Sequence, residues 1–198
     1  MSGKPQYDEA AVVDAAMSVF WKNGYAAASI TDLTSATELS RSSLYQRFGD
    51  KDGLFREVLD TYTDRVTARM GSVRGDSMQE TLRGLLREFV PREGRRNRPP
   101  GCLLARSCSE MGNLSAPAQA NVCAGVERQR EVLDNILREA ASRGELEPGA
   151  DIDALSWHFL GVLQTILNLP QMGIASAVLE RVIDAAMSAW PANSATDG

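Results

Sequence analysis

The sequence has 198 residues, 43% hydrophobic and 24% charged, which suits one large or two small globular domains and excludes a disordered or collagen-like chain. The net charge of -5 argues against a uniformly basic nucleic-acid binder. The first 60 residues keep that sign, with six Lys and Arg (Lys4, Lys22, Arg41, Arg47, Lys51, Arg56) against nine Asp and Glu, so any DNA contact must depend on where the charges sit.

The N-terminus, MSGKPQYDEA, has no apolar core of the kind a secretory signal needs. Residues 8–23 place Val12, Val13, Ala16, Met17, Phe20 and Trp21 at helical spacing. Asn23-Gly24 ends that helix, with Gly24 suited to the left-handed position after it. Ser29 and Asp32 form a variant capping box for a second helix to about Thr37. After the turn at Glu38-Leu39, Ser40 caps a third short helix over residues 41–48. Gly49-Asp50 breaks it, and a fourth helix runs from Lys51 or Asp52 to about Met70.

A turn over 71–76 leads to a fifth helix at 78–90. Residues 91–101 form a loop rich in Pro, Gly and Arg. A short helix is expected from Cys102 to Met111, a long one over 117–143, one capped by Asp151 to Leu169, and a last one over 175–190. That makes about nine helices, with almost no strand signal. The apolar stretch from Trp157 to Leu169 contains Gln164 and Asn168 and is too short for a membrane span. Cys102, Cys108 and Cys123 are odd in number and lack a Cys-x-x-Cys pair. That argues against a disulfide scaffold or zinc ribbon and suits a reducing cytoplasm. A single histidine, His158, leaves little for a His-based metal site or a Ser-His-Asp triad. No metal, no cofactor and no catalysis are expected.

The segment at 29–55 carries the chemistry. Two helices joined by about four residues satisfy a helix-turn-helix. At 100° per residue, Leu44 and Phe48 face a core, Ser42 and Gln46 point away, and Ser43 and Tyr45 lie on the flanks. Gln can pair bidentately with adenine, Arg with guanine, and Ser with either, so this face suits a major groove. The same pattern also fits the solvated face of an ordinary three-helix packing.

The run Phe20-x-x-x-Gly24-Tyr25, then Ser29-Ile30-x-x-Leu33, then Leu39 through Phe55 with its Leu44-Tyr45-x-x-Phe48-x-x-Lys51-x-x-Leu54 core, resembles the TetR family of bacterial transcriptional repressors. The likeness covers residues 8–60. It implies that Ser29 and Thr31 open the helix that crosses the DNA backbone. It implies that Ser40, Arg41, Ser42, Ser43 and Gln46 face the groove, and that Tyr45 and Lys51 hold phosphates. Glu38 and Ser42 stand where the family often has Gly. A left-handed non-Gly residue at 38 would cost about 1–2 kcal/mol, and Ser42 adds a side chain in the groove.

The helix at 151–169 is apolar on two faces, Leu155, Phe159, Val162, Leu163 and Ile166 on one and Ala154, Trp157, His158, Gly161 and Thr165 on the other, so it needs two partners. With the helix at 175–190 it can meet its own copy in a homodimer, as the resemblance also implies. The family's small-molecule pocket maps here onto Tyr62, Val66, Leu86, Phe89, Cys102, Arg106, His158 and Gln164, all of which also suit plain packing. Gly101-Cys102 resembles a subset of the family, including repressors that respond to N-ethylmaleimide and to acrylate, which raises a thiol-sensor alternative for Cys102.

The expectation is an all-α protein. Residues 1–52 form a helix-turn-helix DNA-binding domain, residues 53–190 a ligand-binding and dimerisation domain, and residues 191–198 a disordered tail. The implied function is a cytoplasmic, ligand-responsive repressor of a double-stranded DNA operator, without a membrane partner.

Overall fold

The computed structural model describes residues 8–91 and 101–193. Among them lie nine α-helices: α1 (Glu9–Ala27), α2 (Ile30–Thr37), α3 (Arg41–Phe48), α4 (Lys51–Met70), α5 (Met78–Glu88), α6 (Leu103–Ser109), α7 (Ala116–Ser142), α8 (Ile152–Asn168) and α9 (Ser176–Met187). Single 3-10 turns at Met111–Asn113 and Leu169–Met172 follow α6 and α8. Most of the loop expected at 91–101 lies outside the described residues, as do residues 194–198 of the tail.

The helix starts follow local hydrogen bonding. Asp8, Ser29, Ser40, Ser77 and Asp151 each accept from backbone N–H groups of the first turn that follows, satisfying donors the helix itself leaves unpaired. The helix ends are less local. Helix α5 stops at Glu88 and α9 at Met187, two and three residues before their expected ends.

The chain divides into two compact units. One unit comprises residues 1–65 with 102–126, the other residues 66–101 with 127–198. The division falls inside α4 and α7, because both helices are continuous and contribute side chains to each unit.

In the first unit, Val12, Val13, Ala16, Met17 and Phe20 of α1 are buried with Leu33, Leu44, Leu54, Phe55 and Val58. Phe20 meets Phe55 edge-on at 4.9 Å between ring centroids, a favoured aromatic geometry. Gly24 has φ 81 and ψ 173, so α1 is interrupted there although its turns continue to Ala27. This differs from the expected left-handed stop: the backbone is extended at positive φ, a region open in practice only to glycine.

In the second unit, Leu82, Leu85 and Leu86 of α5 are buried, as are Phe159, Leu163 and Ile166 of α8 and Leu179 and Ile183 of α9. Arg87 pairs with Glu180 at 2.8 Å and Arg83 with Asp184, tying α5 to α9. The Glu145 carboxylate accepts from the Met78 N–H at 2.8 Å and the Gln79 N–H at 3.3 Å, a cap for α5 supplied from 66 and 67 residues away. Residues 191–193 pair with the chain between α7 and α8. Ala192 forms a bridge with Leu146, and the Glu147 N–H donates to the Pro191 carbonyl at 2.8 Å. No helix among the described residues is long and apolar enough to cross a membrane.

Candidate nucleic-acid interface

Helices α2 and α3 are held by two caps and one left-handed residue. The Ser29 hydroxyl accepts from the Asp32 N–H at 3.1 Å, and the Asp32 carboxylate accepts from the Ser29 N–H at 3.0 Å and hydroxyl at 2.7 Å. Those bonds, the hydroxyl's first and the backbone N–H's second, hold the Asp32 carboxyl below the usual carboxylate range. A depressed folded pKa stabilises above the unfolded value and is lost as pH falls through the folded one. Asp32→Asn is therefore expected to lower the melting temperature at pH 7, with a smaller gap to wild type at pH 3. Thermal unfolding followed by circular dichroism at both pH values checks this.

Glu38 closes α2 at φ 58 and ψ 15, and it is the one described non-glycine residue at positive φ. The turn keeps the conformation that glycine would take, with a side chain in its place, so it carries the strain expected of a left-handed non-Gly residue.

Helix α3 presents the expected faces. Leu44 and Phe48 are buried, and Arg41, Ser42 and Gln46 are exposed. Ser43 and Tyr45 are half-buried on its flanks. The Ser40 hydroxyl accepts from the Ser43 N–H at 3.1 Å and lies 2.9 and 2.8 Å from the Ser42 and Ser43 hydroxyls. The three hydroxyls thus form one cluster at the helix start. Arg41 donates to the Tyr45 hydroxyl at 3.3 Å and lies over its ring, so these two side chains form one exposed edge. Among the described residues, the side chains of Thr31 and Gln46 make no hydrogen bond, which leaves both free for an incoming partner.

Two cations have partners within the fold. Arg47 pairs with Glu9 and, at 3.1 Å, with Glu57. Lys51 is half-buried with its ammonium 4.5 Å from the Tyr25 ring centroid. Burial pushes its pKa down, partly offset by the Glu110 carboxylate.

The eight expected ligand positions fall in both units. In the first unit, Tyr62 and Cys102 are buried, and the Tyr62 hydroxyl donates to the Cys102 sulfur at 3.3 Å. Arg106 lies partly exposed on α6 beside Glu110. In the second unit, Val66, Leu86 and Phe89 are core residues, and the Gln164 amide donates to Gln129 Oε1 at 3.1 Å. His158 is exposed on α8, its ring edge-on to Phe159, and so is not an interior residue. Gln129 is fully buried but was not evident from the sequence, because it sits in a charged run, Glu127 to Glu131, that reads as a solvated face.

Cys102 is only 2% exposed. Cys108 and Cys123 are exposed, and burial, followed by the neighbouring thiols Cys102 and Cys123, pushes the Cys108 thiol up. No group of residues able to hold a metal ion occurs among the described residues.

A family model described as bacterial regulatory proteins of the tetR family matches residues 12–58. A second, described as a tetracyclin repressor-like C-terminal domain, matches residues 79–186. The HTH-type transcriptional repressor ComR of Escherichia coli (strain K12) is 28% identical over 193 residues, covering 96% of this chain and 92% of its own. YezE, an uncharacterized HTH-type transcriptional regulator of Bacillus subtilis (strain 168), is 28% identical over 191 residues, covering 93% of this chain and 95% of its own. Among solved structures, a cysteine mutant of the TetR family transcriptional regulator CifR, complexed with 26-bp double-strand operator DNA, superposes with a TM-score of 0.83. It has 29% identity and covers 96% of this chain and all of that one. Reduced NemR of E. coli has a TM-score of 0.74 over 93% of this chain and 97% of its own. Its 16% identity makes it a match of fold alone.

Proposed function

The chain belongs to the TetR family of bacterial regulatory proteins, and we propose that it represses transcription by binding a near-palindromic operator as a homodimer, leaving it when a small molecule occupies the C-terminal domain. It is a transcriptional regulator and not an enzyme. The observation that carries the reading is the polar face of α3. Ser42 and Gln46 stand exposed while Leu44 and Phe48 anchor the helix, which is the geometry of a recognition helix in a major groove. In this reading Ser40, Arg41, Ser42, Ser43 and Gln46 meet the groove. Ser29 and Thr31 meet the DNA backbone, and Tyr45 and Lys51 meet phosphates. The operator places the protein's work in the cytoplasm.

The dimer rests on α8 and α9. Ala154, Trp157, His158 and Gly161 of α8 are exposed in the single chain, and Trp157 is 48% exposed. A large aromatic beside small residues suits a two-fold, self-complementary interface. Such a dimer presents two α3 helices about one DNA turn apart. The effector would then act by population shift, favouring a state in which the two helices no longer match that spacing.

Trp157→Asp is expected to shift the sedimenting species from dimer to monomer at micromolar protein. It is also expected to weaken operator binding at least tenfold while leaving the circular dichroism spectrum unchanged. A variant that stays dimeric and binds DNA normally would move the interface elsewhere.

The thiol-responsive alternative is the less favoured one. A buried Cys102 whose sulfur is engaged by Tyr62 fits a packing role better than that of an accessible nucleophile.

A further inference from the structure

We infer that the second unit binds an uncharged effector through a carboxamide-like group held by Gln129 and Gln164; the inference rests on the reading of the chain as an effector-responsive regulator. Gln129 of α7 is 0% exposed. Gln164 of α8 is half-buried and donates from Nε2 to Gln129 Oε1 at 3.1 Å. The complementary atoms, Gln129 Nε2 and Gln164 Oε1, are buried and have no partner. Two facing amides can close a ring of two hydrogen bonds. This pair makes one and leaves one donor and one acceptor open. Interchanging O and N in both amides swaps the two roles but still leaves one of each. Unpaired polar atoms in a protein interior are uncommon, and a donor and an acceptor left together suit a ligand that supplies both complements.

The surroundings set the ligand's charge. One turn along α7 from Gln129 is Leu133, and one turn back along α8 from Gln164 is Leu160, both buried. The charged neighbours of Gln129 in sequence are directed elsewhere. Arg128 is exposed. Arg130 is bound to Glu127, to Asp153 at 3.0 Å and to the Ser156 hydroxyl at 3.0 Å, and lies over the Trp157 ring. Among the described residues, no charged side chain bonds to either amide. A carboxylate or an ammonium would be buried there without a counter-charge, at high cost. Both atoms are fully enclosed in the free chain, so a ligand reaches them only when the two side chains part; a neutral carboxamide, lactam or urea then meets both, its carbonyl accepting from Gln129 Nε2 and its N–H donating to Gln164 Oε1. Its apolar remainder packs against leucine, the usual pattern of a small-molecule site.

The test is a thermal-shift titration of the full chain with isosteric probes at millimolar concentration: benzamide, benzoate and benzamidine, with hexanamide and hexanoate as an aliphatic pair. The two amides are expected to raise the melting temperature, and the charged probes are not. Gln129→Leu/Gln164→Leu is expected to melt about 2–4 °C above wild type without ligand, because it removes the open polar atoms, and to ignore the amides. Gln164→Glu, which keeps a polar side chain at a half-buried position, is expected to exchange the response to benzamide for one to benzamidine. Equal responses to benzoate or benzamidine in wild type, no response to either amide, or a full amide response in the leucine variant would each overturn the inference. Binding of wild type to a duplex from upstream of its own gene, measured without probe, separates the two claims. If DNA binding is absent the regulator reading fails, while the probe series still decides whether an amide site exists.

Discussion

Replacing Gln46 with alanine is expected to weaken operator binding by about 1–3 kcal/mol, about 5- to 150-fold, and to leave binding to unrelated duplex nearly unchanged. Gln46 is exposed on α3, with no hydrogen bond to satisfy within the described residues. A bidentate contact to adenine would therefore be gained only on the cognate base. Its loss removes discrimination at that position while leaving the phosphate contacts intact. Lys51→Ala should behave oppositely. It weakens all duplexes alike and lowers the slope of affinity against salt by about one, with a smaller loss of stability from the contact with Tyr25. Titrating both variants against operator and unrelated duplex at two salt concentrations separates base reading from phosphate holding. A Gln46→Ala protein that keeps full discrimination would remove Gln46 from the groove.

Gly24→Ala is expected to destabilise the first unit by about 3 kcal/mol or more, through backbone strain and a lost charged hydrogen bond together. At φ 81 and ψ 173 the position excludes a side chain on conformation alone. A Cβ there would lie 1.9 Å from Glu110 Oε1 and 2.9 Å from its Cδ, so Glu110 must leave. Glu110 Oε2 accepts from the Ala26 N–H at 2.8 Å, and its departure strips the last turn of α1 of its hold on the end of α6. The melting temperature should fall by about 6 °C or more, and operator affinity should fall with it. Glu110→Gln, which keeps an acceptor, should lose less. A Gly24→Ala protein that melts within 2 °C of wild type would show that α1 can rearrange without cost.

What the sequence made legible was local. Ser29 with Asp32, Ser40, and Asp151 each act on N–H groups three residues away, so the starts of α2, α3 and α8 could be read from short motifs. The inward face of α3 followed from the spacing of Leu44 and Phe48. What remained hidden depends on partners distant in the chain. Arg47 is engaged by Glu9, 38 residues away. Gln129 looked solvated among its charged neighbours because those charges point outward and only the amide turns in. The order at 191–193 needs Glu145 to Glu147 beside it. The expected ligand positions mixed core and surface because helical periodicity gives a face but not the neighbour that covers it.

The central claim is that α3 reads a specific DNA site. Fluorescence anisotropy of the wild-type protein on a duplex from just upstream of its own gene, with excess unrelated duplex present, tests it most directly. Saturable binding in the nanomolar range, with two chains per site and little competition from the unrelated duplex, is the predicted result. Binding that is no tighter to that duplex than to the competitor would contradict it.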